Sequence, residues 1–438
     1  MSLSPALLLQ PLDALAIQGR VLIGFSGGLD STVLLDLAVA AGLGPRLTAL
    51  HIDHGLQADS ASWVRHCRQQ CQRYGVPLLV ERVQVPMQGS LEEQARGARY
   101  AVFAGLLRGG DGLLLGHHAD DQAETLLLRL LRGAGVRGLA AIPAERPLGE
   151  GWLLRPLLGL PRSRLHAYAR EGDLRWIEDG SNADPRYDRN YLRTALVPLL
   201  QSRWPGFTAV LGRAARLQRE ADGLLNELAQ EDAARCGAGD SLRLSALLTL
   251  SAARQRNLLR WWLRAAAAEA PAERRLDQFL RDVATAAPDR QPLLQWGEWR
   301  LRRYRDRLVL QRVAGGEPNR VAPAETEVCA WDTQRSLRWA GGELCARPTQ
   351  GQGVALAAGD RVTVARRVGG ERLRPLGQAH SRSLKKLLQE AGVPPWQRAQ
   401  LPLIFINGEL AAVADRWVVE GFQAQPEQPG FEILWRPD

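Results

Sequence analysis

Short runs of apolar residues alternate with stretches of helical spacing over the first third of the chain. Residues 20–25, Arg-Val-Leu-Ile-Gly-Phe, form a run that ends in a Gly-rich turn, and beyond Thr32 the positions Val33, Leu34, Leu37, Ala38 and Ala41 recur on one helical face. The unit repeats. Leu47–Ile52 precedes a helix from about Asp59 to Tyr74, Pro77–Val83 one from about Leu91 to Leu107, and Gly112–Gly116 one from about Asp120 to Arg132. Strands that are apolar throughout and alternate with helices predict an α/β domain whose parallel sheet is covered on both faces, a Rossmann-like arrangement. This first domain is expected to span residues 1–210, because Trp204-Pro205-Gly206 interrupts the chain there.

The pattern then changes. Helix formers rich in alanine and arginine predict a mainly helical, basic domain over 211–315. In it, residues 254–264 form an amphipathic helix carrying Arg254, Arg256, Arg260 and Arg264. Trp299–Tyr304 and Arg307–Gln311, separated by Arg305-Asp306, read as a basic hairpin. Residues 312–327 are rich in Gly, Pro and Ala and read as a linker. The remainder, 328–438, reads as a small α+β domain of short strands with one clear helix, Ser383 to Ala391.

Composition narrows the class. At roughly 150 residues per domain, 438 residues accommodate three, and apolar and charged fractions of 45% and 24% are those of a globular protein. No run approaches the ~18 apolar residues of a membrane span, and the early Asp13 and absence of a basic lead-in argue against a signal peptide. Five scattered cysteines fit free thiols in a reducing cytoplasm. The net charge of +9 comes almost wholly from arginine, whose forked donors suit a polyanionic partner; a GC-rich genome would produce the same bias.

Chemistry concentrates in three turns. Ser26-Gly27-Gly28-Leu29-Asp30-Ser31 sits where the first strand hands over to its helix. Paired glycines let backbone approach a phosphate, and the helix N-terminus aims N–H groups at it. The acid Asp30 would repel that ligand unless Mg²⁺ bridged them, and no Gly-Lys-Ser/Thr ending is present, so this is not a Walker A loop. The turns after the second and fourth strands, with Asp53 and His54 in one and His117, Asp121 and Glu124 in the other, converge on the same sheet edge. Asp121 and Glu124 share a helical face, suited to an ammonium or a metal, although acids at a helix start also serve as caps.

Ser-Gly-Gly-x-Asp-Ser resembles the signature of the PP-loop ATP pyrophosphatases. That resemblance implies cleavage between the α and β phosphates and transfer of AMP to a substrate oxygen. Further strings resemble the tRNA(Ile)-lysidine synthetase family in its long, three-part bacterial form. They are residues 121–125, Glu93 to Arg96 with Arg99-Tyr100, Arg155 to Leu158, Trp176 to Asn182, Arg189 to Arg193, and Ser383–Ala391 with 401–404 and 413–417. Gln57 departs from that pattern, standing where the family usually carries arginine. The resemblance implies adenylation of the 2-oxygen of the wobble cytidine in a tRNA(Ile) with a CAU anticodon, followed by attack of free L-lysine. Its cofactors are ATP and Mg²⁺. Carried over, Ser26, Gly27, Gly28, Leu29, Asp30 and Ser31 hold ATP with Asp53, His54 and His117 nearby. Asp30 is the Mg²⁺ ligand; Asp121, Glu124 and Arg96 serve lysine. Asn182, Arg189, Asn190, Arg193, Arg256, Arg260, Lys385 and Lys386 contact tRNA. Homodimerisation stays open.

Rival readings are a PP-loop tRNA thiolase, an amidotransferase and an inactive tRNA-binding protein. Cys67 and Cys71, the only close pair, share a helical face with Trp63, Val64 and Tyr74 and read as core rather than as sulfur chemistry. Residue 2 is serine, not the cysteine that a glutaminase would need, and the intact Asp30, Asp121 and Glu124 argue against an inactive site.

Overall fold

A computed structural model describes the chain apart from residues 1–2, 54, 56–59, 84–90, 179–185, 269, 288–289, 314–327, 340–341 and 438, and the side chains of 60, 91–93 and 437. The chain divides into two compact units, Met1–Glu231 and Asp232–Asp438.

The first unit runs α1 (Ala6–Ala14), β1 (Val21–Gly24), α2 (Leu29–Ala40), β2 (Leu47–Asp53), α3 (Ser60–Tyr74), β3 (Leu78–Arg82), α4 (Leu91–Leu106), β4 (Gly112–Leu114) and α5 (Ala119–Leu131). There follow α6 (Val136–Leu139), β5 (Glu145–Leu148), β6 (Gly151–Leu154), α7 (Arg162–Glu171), α8 (Asp188–Tyr191), α9 (Val197–Arg203) and α10 (Phe207–Cys236), whose last turn crosses the division. The sheet order is β3-β2-β1-β4-β6-β5, parallel except for the edge strand β5. The direction of winding therefore reverses between β1 and β4.

Alternation along β1 explains the two-faced core. Val21 and Ile23 pack with Val33, Leu34 and Leu37 of α2, while Leu22 packs on the other face with Leu50, Phe103, Leu107 and Leu113. At the opposite strand ends, Asp111 accepts hydrogen bonds from the backbone N–H of Arg20 (2.8 Å) and Arg108 (3.0 Å) and from the Arg20 guanidinium (2.6 Å). Asp111 is buried, and these donors outweigh the desolvation that would raise its pKa, holding it below the ordinary carboxylate value. Asp111→Ala would strand those donors at the central strand pair. It should cost about 2–3 kcal/mol of stability in a denaturant titration, and a loss under 0.5 kcal/mol would refute this role.

In the second unit, β7 (Ser241–Arg243), α11 (Leu244–Leu248), α12 (Ala252–Ala265), α13 (Glu273–Thr285), β8 (Leu293–Trp296), β9 (Trp299–Tyr304) and β10 (Arg307–Arg312) form a helical layer on an antiparallel sheet, order β7-β10-β9-β8. The expected hairpin is present and turns at Arg305-Asp306, Arg305 taking φ 53°. The segment carries more sheet than its helix-rich composition predicts, because β7 and β8 are too short to show a period. The predicted basic face of α12 is not bare. Arg254 pairs with the fully buried Asp232 (Nε–Oδ2 3.0 Å), Arg256 with Asp277 (3.4 Å) and Arg260 with Glu273 (3.2 Å). Residues 328–437 form a five-stranded and a four-stranded antiparallel sheet, with α14 (Leu384–Glu390) between strands. Among the described residues, no helix is long and apolar enough to cross a membrane.

Candidate active site

The loops after β1, β2 and β4 meet over the sheet's switch point, where an open α/β sheet leaves a crevice. They line a cavity of about 470 Å³ bounded by Ser26, Gly28, Asp30, Ser31, Asp53, Gly116, His117 and Asp121, with Leu50, Ile52, Phe103 and Trp63 on its apolar side.

The first loop braces itself. The Ser31 hydroxyl donates to the Gly28 carbonyl (3.0 Å), and the Ser26 N–H donates to Ser31 Oγ (3.2 Å). Gly27 takes φ +81°, and a Cβ there would lie 3.0 Å from Cys67 Sγ. Gly116 is equally constrained, since its Cβ would meet the Asp30 carbonyl at 2.9 Å. Helix α2 starts behind Gly28, which has no side chain with which to cap it, so its first N–H groups are left to a ligand. Ile177 donates its N–H to the Gly27 carbonyl (2.9 Å), which seats the Trp176-Ile177 segment on the loop.

Asp30 carries the decisive electrostatics. Its Oδ1 is buried without a hydrogen-bond partner among the described residues. Burial raises its pKa above the ordinary carboxylate value, partly opposed by His118. Arg162 Nε faces this oxygen only at 4.0 Å, so a buried carboxylate oxygen without a hydrogen bond beside a phosphate-binding turn fits the donor chemistry of a hard cation, which Asp30 would hold.

Behind the cavity floor, α5 opens with a reciprocal cap. Asp121 Oδ2 accepts the His118 N–H (3.0 Å), and the Asp121 N–H donates to His118 Nδ1 (3.4 Å). The other carboxylate oxygen of Asp121 receives Arg189 (2.7 Å). Glu124, 2% exposed, takes Arg193 through two bonds (2.7 and 2.9 Å) and Arg189 through a third (2.8 Å). His118 lies 3.7 Å from Asp30 and 3.4 Å from Asp121. Burial alone would depress its pKa, but Asp120, Asp121 and Asp30 raise it above the ordinary histidine value. Four carboxylates (Asp30, Asp120, Asp121 and Glu124) thus face Arg162, Arg189, Arg193 and His118, a nearly balanced cluster at the edge of the cavity.

The predicted site residues fall into three groups. Ser26, Gly28, Asp30, Ser31, Asp53, His117 and Asp121 line one cavity, and Gly27 and Leu29 lie in its loop. Asp53 is also tied to its own turn, accepting the Gly55 N–H (3.0 Å). Arg189 and Arg193, expected to reach tRNA, instead hold Asp121 and Glu124. Arg96 is exposed and stacks over Tyr100 at 5.1 Å; Arg99, three residues on, is the one that lines the cavity. Asn190 lies half-buried in α8, and Lys385 and Lys386 are exposed on α14. His54, Gln57 and Asn182 lie outside the described residues, as do the side chain of Glu93 and most of the 312–327 linker. Sequence reasoning gave no role to His118 or His51, although each carries a signal in its position. His118 directly precedes an acid-rich helix start. His51 is a buried polar residue within β2, where its Nδ1 bonds to the Phe25 carbonyl (2.9 Å). Cys67 and Cys71 are core residues, as expected, and burial pushes their thiols up to about 12 and about 11.

Parallel strands reversing at a Ser-Gly-Gly-x-Asp-Ser turn define a PP-loop domain, and the family model of that description matches residues 7–200. Models described as the TilS substrate binding domain and the TilS substrate C-terminal domain match residues 242–309 and 362–435. The tRNA(Ile)-lysidine synthase of Alkalilimnicola ehrlichii is 46% identical, covering 99% of this chain and 97% of its own. Those of Serratia proteamaculans and Pseudomonas aeruginosa are 42% and 43% identical, covering 95% and 98% of this chain and 95% and 96% of their own. The chain belongs to the tRNA(Ile)-lysidine synthase family.

Proposed function

We propose that the chain uses ATP to join free L-lysine to the 2-carbon of the wobble cytidine of a tRNA(Ile) with a CAU anticodon, releasing AMP and pyrophosphate as a C–N ligase of the cytoplasm. The observation that carries this reading is Asp30, whose Oδ1 is buried, accepts no hydrogen bond among the described residues and stands in a Gly-rich turn with no Walker lysine. Residues 26–31 would hold the phosphates of ATP, and Phe103 and Ile52 give the cavity an apolar side that suits a base. Asp30 would hold Mg²⁺, which would neutralise charge on the phosphates.

The cytosine 2-oxygen attacks the α-phosphate, the bond to the β-phosphate breaks, and pyrophosphate leaves. Adenylation turns a poor leaving oxygen into AMP. The lysine ammonium enters beside Asp121 and Glu124, sharing their carboxylates with Arg189 and Arg193. One of these acids takes the proton that the amine must shed before it can attack the 2-carbon. Arg96 sits exposed for a carboxylate or a phosphate. Beyond the site, Asn190, Lys385 and Lys386 are proposed tRNA contacts. Arg256 and Arg260, though ion-paired, keep donors for phosphate, and the set as a whole makes binding strongly salt-dependent. The 211–315 and 328–438 segments are read as separate domains, each gripping a different region of the tRNA.

Incubating the protein with ATP, labelled lysine and either of the two CAU-anticodon tRNAs tests the reading. Label should enter the isoleucine tRNA alone, with one pyrophosphate released per lysine joined. Equal labelling of the methionine tRNA, or labelling of neither, would refute it. The thiolase reading is not favoured, because both close cysteines are buried and the likeness to lysidine synthases spans the chain.

A further inference from the structure

We infer that Arg155 is a positioning residue for His117. Its guanidinium fixes the imidazole as the neutral tautomer that carries its proton on Nε2, so the ring offers a donor to an oxyanion in the cavity. The inference rests on reading that cavity as the nucleotide site.

Arg155 follows β6 and is 3% exposed. Its Nε donates to His117 Nδ1 (3.1 Å), one terminal nitrogen to the Pro143 carbonyl (2.7 Å), and the other to the Tyr100 hydroxyl (3.1 Å). Its own N–H donates to the Ala144 carbonyl (2.7 Å), so backbone and fork are both anchored. Arginine has donors only and stays protonated, so the histidine nitrogen that meets it has to be a bare acceptor. The proton of a neutral imidazole then resides on Nε2. A plane held at three points cannot swing aside to let the tautomer exchange.

No carboxylate pairs with Arg155 among the described residues; all its acceptors are neutral. A buried guanidinium without a counter-ion is costly, and packing alone does not account for it. The groups facing His117 act against its protonation, Asp121 excepted. Burial is the largest influence and pushes its pKa down to about 3; Arg155, Arg189 and Arg99 add to this, opposed by Asp121. Burial disfavours the imidazolium and Nδ1 meets a donor, so the tautomer is what the surroundings decide.

Nitrogen NMR of the full-length protein's histidine side chains, assigned with a His117→Gln variant, reads the tautomer directly. The expected wild-type signature is a bare Nδ1 and a protonated Nε2; the reverse pattern, or an imidazolium, overturns the inference. Arg155→Met should give a mixture of tautomers and lower kcat by about 100-fold, with KM for ATP changing far less. Arg155→Lys, which keeps one donor, should recover part of that loss. Tyr100→Phe removes one anchor, leaves the fold standing if Arg155→Met does not, and should broaden the His117 signals. An unchanged His117 spectrum in both variants, or unchanged kcat in Arg155→Met, would also overturn it. A wild-type chain that shows the expected tautomer but binds no ATP would sink the nucleotide-site reading and the catalytic part of this inference together. ATP binding with the wrong tautomer would sink this inference alone.

Discussion

Asp30→Asn should abolish pyrophosphate release while leaving the melting temperature equal to or above that of the wild type. The two halves have one cause. In the native protein Asp30 is half-buried, its Oδ1 is shut off from solvent and accepts no hydrogen bond among the described residues, and this desolvation raises its pKa, partly opposed by His118 and Arg162. An acid whose pKa is higher folded than unfolded binds its proton more tightly in the native state. Its ionised form therefore lowers stability as pH rises through that window, and at neutral pH the fold carries the cost. Removing the charge relieves the fold. It also removes the carboxylate proposed to hold Mg²⁺, worth several kcal/mol at the transition state, or about 10³-fold in rate. Paired thermal melts and pyrophosphate assays check both. Substantial activity, or a clear loss of stability, would show that Asp30 is a structural group.

Glu124→Gln should raise the lysine concentration needed for half-maximal rate by about 100-fold, with a smaller fall in rate at saturating lysine. Glu124 is buried and accepts three bonds from Arg189 and Arg193. The amide keeps the shape and one acceptor but removes a negative charge from a cluster already matched by its arginines, so an incoming ammonium is opposed. Glu124→Ala should be worse in a different way. It strands two half-buried guanidinium groups and should cost about 2–4 kcal/mol, below the range for fully buried pairs because both arginines are partly solvated. Asp121→Asn should raise the lysine requirement similarly and also loosen the start of α5, whose cap it shares with His118. An unchanged lysine dependence in both Glu124→Gln and Asp121→Asn would refute the assignment of these acids to the amine.

What the chain alone determined is everything that depends on local spacing. Continuous apolar runs placed β1, β2 and β4 within a residue or two, because a strand covered on both faces has to be apolar throughout. Gly27, with its left-handed backbone, and Gly116, packed on Asp30, marked the turns because only glycine meets those constraints. Asp30 was legible for the same reason: an acid inside a phosphate loop is a local contradiction that a cation resolves.

Partners brought together by packing were not legible. Arg189 and Arg193 read as surface contacts, yet they cross 65 to 69 residues of chain to reach Asp121 and Glu124. Arg155 read as part of a family string without a role, yet it meets His117 across 38 residues and sets which nitrogen bears the proton. Arg256 and Arg260 read as a free basic stripe, yet α13 supplies each with a carboxylate. Spacing tells which face of an element a side chain occupies. An ion pair or a tautomer depends on a few ångströms between side chains from distant segments, and only the packed tertiary structure brings those atoms within reach.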